Sequence, residues 1–290
     1  MTIPDDDIAQ LTATLVKKIG NFTEAKMRSF YAADSLDNME EELALEVMRV
    51  ICEHAAKREP KYQKAILALA DVEMLLQVMG KRKVAHLYNA SLEKGYKDVA
   101  GIFSRAMPAK RYEGEIELFL QYGLGSKALG ERKYLARKPD PVLIDKLTYD
   151  LDPLVMNDLL KNPRLTESQV VKIAARRPNK PEILEEIFDS SKWIARYQVK
   201  LAIARNPYTP PRIALGLLTF LTDQDLMDIA QDQTLHEDVK RRARVMLKAK
   251  SIELKEEQPA LPRERVVYKV DLDNATIKPA GEADSESEET

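Results

Sequence analysis

The feature that most constrains the fold is a proline-centred corner that recurs between residues 135 and 211. In LAIARNPYTPPRIALGLL, at Leu201–Leu218, a helix-like run meets Asn-Pro, then Thr-Pro-Pro, and then a second apolar run. A residue before proline is pushed out of the helical region, whereas proline fits the first position of a helix, where no N–H group is needed. Such a corner therefore ends one helix and begins the next.

Four corners share this layout, and each has a basic residue two positions before its first proline: Leu135–Pro141, Leu159–Thr166, Ala174–Pro181 and Ile203–Pro211. A weaker copy without proline is Asp228–Val239. These prolines lie 24, 15 and 29 residues apart, and the short gap indicates that one helix closes the second corner and opens the third. Short helices bury their apolar sides only by stacking, so the pattern predicts an α-solenoid.

Two threonines at the corners are predicted to cap helices. Thr166 with Gln169 has the spacing of a capping box, and Thr209 stands before Pro210 at a predicted N-cap. Both assignments concern only the local backbone and are independent of how the helices stack.

The composition favours helices and a cytoplasmic protein. Hydrophobic residues make up 44% of the 290 residues, glycine is scarce, and alternating apolar runs bounded by hairpin turns are missing. The single cysteine cannot form an internal disulfide, which favours a reducing compartment. The acidic start MTIPDDDIAQ lacks the pattern of a secretory signal. The longest apolar stretch, Ile213–Leu221, is far shorter than the roughly 20 residues that span a bilayer.

We therefore predict an all-α fold in three parts. Residues 1–126 form a helical region, either an irregular bundle or a degenerate beginning of the next part. Residues 127–250 form an α-solenoid of short helix pairs, and residues 251–290 a disordered acidic tail with scattered prolines and a Ser/Glu-rich end. Helices are predicted in the first part at Glu40–His54, Tyr62–Met79, Lys83–Leu92, Val99–Ala106 and Tyr112–Tyr122. Pro60 and Gly80 supply start and stop signals for the second of these helices.

The corner Leu201–Leu218 resembles the leucine-rich repeat variant family, a group of HEAT-like helical repeats, and the resemblance covers residues 130–245 or so. The residues that match the repeat are Leu201, Ala204, Asn206, Pro207, Thr209, Pro210, Ile213 and Leu217. The resemblance implies an α-solenoid and no particular activity. The best-known member of the family also holds a cysteine-ligated iron–sulfur cluster, which Cys52 alone cannot provide.

No pattern predicts a catalytic, metal or cofactor site. None of the three histidines, His54, His86 and His236, lies three to five residues from another. Cys52 is expected to be a small buried apolar residue, and the glycines of Tyr122–Gly130 lack the Gly-Lys-Ser/Thr ending of a phosphate loop. An enzyme with a carboxylate or cysteine site in the N-terminal half stays a lower-ranked alternative.

Basic residues give the functional prediction. By count, the net charge is −2 over residues 1–126, +6 over 127–250 and −6 over 251–290. Stacking in register would align six cations as one outward stripe, the predicted basic stripe: Lys172, Arg176, Lys192, Arg196, Lys200 and Arg205. Such cations also stabilise helix ends without any partner. Trp193, beside Lys192, is expected in the core.

The predicted function is a non-enzymatic scaffold that docks an acidic protein or peptide on this stripe, with no cofactor and no membrane. The chain's own acidic tail is a second candidate ligand for the stripe. The alternative is a nucleic-acid-binding helical-repeat protein, which the net charge of −2 disfavours.

Overall fold

A computed structural model describes residues 4–103, 106–112, 123, 126–249, 268–271 and 276–279. Within these ranges sixteen helices account for nearly all of the regular structure, which confirms the all-α prediction. Met1–Ile252 form one compact unit and Glu253–Thr290 another. In the second unit, Tyr268–Asp271 (β1) and Thr276–Pro279 (β2) pair antiparallel, with Tyr268 opposite Pro279. The rest of the predicted disordered tail lies outside the described residues, as does nearly all of the predicted helix at Tyr112–Tyr122.

The first unit begins with a bundle of six helices around an apolar core. They are α1 Asp5–Asn21, α2 Ala25–Asp37, α3 Glu41–Ala56, α4 Pro60–Leu69, α5 Val72–Glu93 and α6 Lys97–Phe103. Ile19, Leu36 and Met48 are fully buried in this core, and Cys52 is 3% exposed. Burial raises the pKa of the Cys52 thiol to about 12, so the residue is an apolar core residue, as predicted.

One predicted helix, Tyr62–Met79, is two helices in the structure. α4 ends at Leu69, and the Asp71 side chain caps α5 by accepting from the Met74 N–H at 3.1 Å. The stop expected at Gly80 is a kink inside α5, where φ is 76°. Glycine tolerates this left-handed backbone because it has no Cβ.

Ten helices follow, and five of the nine breaks between them fall at the predicted corners. They are α7 Leu129–Ala136, α8 Pro141–Leu147, α9 Pro153–Leu160, α10 Glu167–Ala175, α11 Pro181–Asp189, α12 Ser191–Ile194, α13 Tyr197–Ala204, α14 Pro211–Leu218, α15 Asp223–Gln231 and α16 Glu237–Ala249. The capping box of Thr166 and Gln169 is confirmed. The N-cap predicted at Thr209 is wrong: Pro210 holds that position, and Thr209 instead donates to the Ile203 carbonyl at 2.7 Å.

These helices alternate between two layers. The first layer contains α7, α9, α11, α14 and α16, and the second contains α8, α10, α13 and α15; helices next to each other within a layer are in contact. Side-chain hydrogen bonds join the ends of α7, α9 and α11 to one another and the ends of α8, α10 and α13 to one another, and the short α12 lies in the connection from α11 to α13. All helices of the first layer therefore end at one edge of the array, and all helices of the second layer end at the other.

The N-terminal helices cover the first layer. α4 and α6 pack against α14, and the Gln63 side chain donates to the Thr219 carbonyl at 2.6 Å. Arg242 in α16 pairs with Asp98 and donates to the Cys52 carbonyl at 3.4 Å. The two edges of the array are therefore the candidate binding surfaces. The proposed division between residues 126 and 127 stays a prediction.

Candidate binding surface

A buried asparagine joins the first two corners. The Asn162 side chain is 2% exposed, and its amide donates to the carbonyls of Ala136 at 2.7 Å and Lys138 at 2.9 Å. Its oxygen accepts from the backbone N–H of Arg164 at 3.0 Å. Carbonyls in the last turn of a helix have no partner within that helix, so Asn162 both satisfies them and fixes the second corner on the first.

Asn206 makes the same three bonds in the fourth corner. Its amide donates to the carbonyls of Ala174 at 2.6 Å and Arg176 at 3.0 Å, and its oxygen accepts from the Tyr208 N–H at 3.0 Å. In the fifth corner Asp232 takes the equivalent position and accepts from the Thr234 N–H at 2.8 Å. A carboxylate has no N–H to donate, so this corner lacks the asparagine link.

The two asparagines lie at opposite edges of the array. A single helix, α10, separates the second corner from the third, whereas one helix of each layer separates the other neighbouring corners, with the short α12 added between α11 and α13. Contacts across the array agree with this arrangement. The indole N–H of Trp193, after α11, donates to the Leu160 carbonyl in the second corner at 2.8 Å. Arg176, in the third corner, donates instead to Thr148 at the end of α8, at 2.7 Å. The prediction of one continuous stripe is therefore wrong.

One edge carries most of the unbalanced positive charge. Three stacked turns, residues 135–141, 159–166 and 190–196, hold six cations that we call the basic edge: Arg137, Lys138, Lys161, Arg164, Lys192 and Arg196. Their one carboxylate, Asp140, accepts from the N–H groups of Val142 and Leu143 at 2.8 and 3.3 Å and caps α8. The basic edge therefore has a net charge of +5 within these turns.

The opposite edge is electrically balanced. Its turns are residues 148–152, 174–181, 203–211 and 231–237, with four cations and four carboxylates: Arg176, Arg177, Lys180, Arg205, Asp150, Asp152, Asp232 and Glu237. An acidic ligand that approaches this edge meets both attraction and repulsion. The basic edge is therefore the stronger candidate for recognition of a negative partner.

Four exposed cations of the basic edge have no carboxylate partner among the described residues. Lys138 lies over the Tyr134 ring at 4.7 Å, Lys161 donates to the Asn157 side chain at 2.5 Å, and Lys192 lies over Trp193 at 4.1 Å. Arg164 is the fourth. These contacts orient the side chains without pairing their charges with a carboxylate, although Lys161 shares a cleft with Glu24, Glu186 and Asp189.

The other two cations of the basic edge form ion pairs. Arg137 pairs with Asp158 at 3.0 Å, and Arg196 pairs with Glu167 at 3.7 Å. The Arg196 pair is exposed on both sides, and such pairs contribute about 0–1 kcal/mol, so an acidic partner can compete for Arg196 at small cost. In the other pair Asp158 is only 12% exposed, so Arg137 is less available to a partner.

Of the predicted stripe, only Lys192 and Arg196 lie on the basic edge. A spacing of four residues suggests that Lys192, Arg196 and Lys200 lie on one face of one helix. In the structure they do not, because α12 ends at Ile194 and α13 begins at Tyr197. Lys200 does not face outward: it is 9% exposed, and its ammonium donates to the Ala195 carbonyl at 3.0 Å. Burial lowers the pKa of Lys200.

The other three predicted cations lie towards the opposite edge. Lys172 pairs with Asp145 at 3.5 Å, and Arg205 pairs with Asp228 at 3.4 Å. Arg176 points inward to Thr148, and desolvation lowers the pKa of its guanidinium. These side chains link neighbouring second-layer helices rather than forming a free surface.

The predicted stripe did not include four residues of the basic edge, Arg137, Lys138, Lys161 and Arg164, although a usable signal was present. Corners separated by two helices lie at the same edge, whereas corners separated by one helix lie at opposite edges. The 15-residue gap before the third corner holds one helix, and this shows where the cations change edge.

Trp193 was expected in the core. Its side chain is 3% exposed, which confirms that expectation.

A cleft of about 600 Å³ is the other candidate surface, and it lies beside α5, α6 and α16. Tyr88, Leu92 and Val245 line it and are 36%, 51% and 50% exposed. The arginines of its wall are already paired: Arg241 bonds Asp238, and Arg242 bonds Asp98. Its lining holds four cations and three carboxylates, a net charge of +1, so this cleft attracts an acidic ligand less strongly than the basic edge does.

Other classes of site find no support in the described part of the chain. It contains no group of three or more His, Cys, Asp and Glu residues placed to hold a metal ion. None of its helices is both long enough and apolar enough to cross a membrane. Comparison of the chain with protein-family models, curated protein sequences and solved structures finds no match. The resemblance to the leucine-rich repeat variant family therefore stays a prediction.

Proposed function

We propose that this protein is a non-enzymatic scaffold that docks an acidic protein segment on the basic edge. One observation carries the proposal: three stacked turns present six cations against one carboxylate, and that carboxylate is engaged in capping a helix. The class of function is the one that the sequence suggested, but the binding site is a different set of residues. Only Lys192 and Arg196 are shared between the two sets of residues.

The rigidity of these turns supports binding. Pro139 and Pro163 restrict the backbone of the first two turns, and Asn162 holds those turns together. Trp193 fixes the third turn on the second. Cations held on an ordered backbone lose less conformational freedom when a ligand binds, so more of the electrostatic attraction contributes to affinity.

The test is a charge reversal with a matched control. The edge variant changes four cations of the basic edge to glutamate: Lys138, Lys161, Arg164 and Lys192. The control variant reverses three lysines and one arginine on the N-terminal helices, all exposed: Lys57, Lys64, Lys81 and Arg82. The net charge changes equally in both variants. At about 0.7 kcal/mol per cation, the edge variant loses roughly 100-fold in affinity.

The readout is fluorescence anisotropy of a labelled Glu-rich peptide, with the folded state of each variant checked by circular dichroism. A loss confined to the edge variant supports the proposal. Equal losses in both variants point to non-specific attraction and contradict it. The same titration with single-stranded RNA and duplex DNA at two salt concentrations tests the alternative: tighter binding of nucleic acid than of peptide, weakening steeply with salt, overturns the proposal.

A further inference from the structure

The basic edge has a regular spacing that a partner can match. Its three turns follow α7, α9 and α11, which are neighbours in the first layer. Packed helices lie about 8–10 Å apart, so the turns at their ends repeat at about that interval. Hydrogen bonds from Asn162 and Trp193 connect each turn to the next and keep this spacing fixed.

An extended peptide matches this interval every three residues. A segment in the polyproline II conformation advances about 3.1 Å per residue with three residues per turn, so side chains three positions apart lie on the same face and are separated by about 9 Å. Acidic residues at positions i, i+3 and i+6 would therefore meet Lys138 in the first turn, Lys161 or Arg164 in the second, and Lys192 in the third.

A helical ligand suits this edge less well. A helix advances about 1.5 Å per residue, so it would need acids seven positions apart. Helices that dock on proteins also bury an apolar face in a groove. The first two turns instead present charged side chains and the exposed prolines Pro139 and Pro163.

Two exposed apolar side chains flank the turn at one end of the basic edge. Tyr134, in the last turn of α7, is 60% exposed, and Val142, in the first turn of α8, is 63% exposed. Both flank the first turn, where Lys138 lies over the Tyr134 ring. Neither side chain contributes to the buried core, so together they offer a contact for an apolar side chain of the ligand.

We infer that the occupant of the basic edge is an extended segment with an acidic residue at every third position and a large apolar residue at the end that meets the first turn. The inference rests on the proposed function and defines its ligand. The acidic residues bind the ligand along the three turns, and the apolar residue determines which end of the ligand lies at α7.

The experiment compares labelled peptides of equal charge and composition on the full-length protein. In the first peptide, three glutamates lie three positions apart, and a leucine lies three positions beyond the outermost glutamate. Two forms of this peptide are made, with the leucine on the N-terminal or the C-terminal side of the glutamates, because the chain direction of the ligand on the edge is not specified. In the second the glutamates are contiguous, in the third they are spaced by seven, and in the fourth serine replaces leucine. The better direction of the first peptide is expected to bind about tenfold more tightly than the second or third.

A double variant, Tyr134→Ser with Val142→Ser, tests the apolar contact. It is expected to remove the advantage of the leucine over the serine peptide and to leave the preference for the three-residue spacing intact. Equal affinity of all the peptides overturns the inference while the proposed function stands. Preference for the spacing of seven overturns it in favour of a helical ligand. If none of the peptides binds, both the inference and the proposed function fail.

Discussion

Replacement of Asn162 by alanine is the sharpest structural prediction, because Asn206 provides a natural control. Asn162 is 2% exposed and takes part in three hydrogen bonds of 2.7–3.0 Å. At about 1 kcal/mol for each bond, the free energy of unfolding should fall by about 3 kcal/mol. Asn206 makes an equivalent set of bonds with equal burial, so Asn206→Ala should cost the same to within about 1 kcal/mol.

The two variants should differ in binding. Asn162→Ala separates the first two turns of the basic edge, so it should weaken binding of the acidic peptide as well as stability. Asn206→Ala should reduce stability alone, because its bonds lie at the balanced edge. Urea titrations followed by circular dichroism give the stabilities, and anisotropy at a temperature where both variants are folded gives the affinities. A stability loss below about 1 kcal/mol for Asn162→Ala, or equal loss of binding in both variants, would refute the reasoning.

Three further predictions follow from single features. Trp193→Phe removes the indole N–H that binds a carbonyl of the second corner, so urea titration should show a loss of about 1–2 kcal/mol, and a neutral result would contradict that role. Partial desolvation of its carboxylate, followed by repulsion from Asp71, raises the pKa of Asp189 to about 6, above its unfolded value. Its ionisation therefore lowers stability as pH rises from about 4 to 6, and Asp189→Asn should flatten the fall in melting temperature over that range; an unchanged slope would exclude Asp189 as its cause. Deletion of the acidic residues 254–290 should tighten binding of the acidic peptide several-fold if the tail competes for the cations, and unchanged affinity would remove the tail from the mechanism.

The positions of the corners were predictable because their causes are local. Proline restricts its own backbone and that of the residue before it, so the ends of α7, α9, α10 and α13 follow from a few letters of sequence. The break before α5 was missed because Asp71 lies inside a long apolar run and its capping bond is a single local contact. Thr209 has the chemistry of an N-cap but binds a carbonyl six residues earlier instead.

The location of the binding surface was less predictable because it depends on how helices stack. Residue spacing shows that Lys200 and Arg196 are near each other, but it does not show that the ammonium of Lys200 turns inward over the Phe220 ring at 4.9 Å. A long aliphatic stem lets lysine pack along apolar surface, so its charge does not prove exposure. Arg137, Lys138, Lys161 and Arg164 were missed because the predicted stripe ran through residues 172–205 and did not reach the first two corners.

Photo-cross-linking can show directly whether the acidic partner lies on one edge of the array. An acidic peptide that carries a photoreactive residue is bound to the full-length protein, irradiated, and mapped by mass spectrometry. If the partner binds the basic edge, adducts are expected within residues 135–141, 159–166 and 190–196. Adducts concentrated within residues 174–181 and 203–211, at the opposite edge, would contradict the proposal.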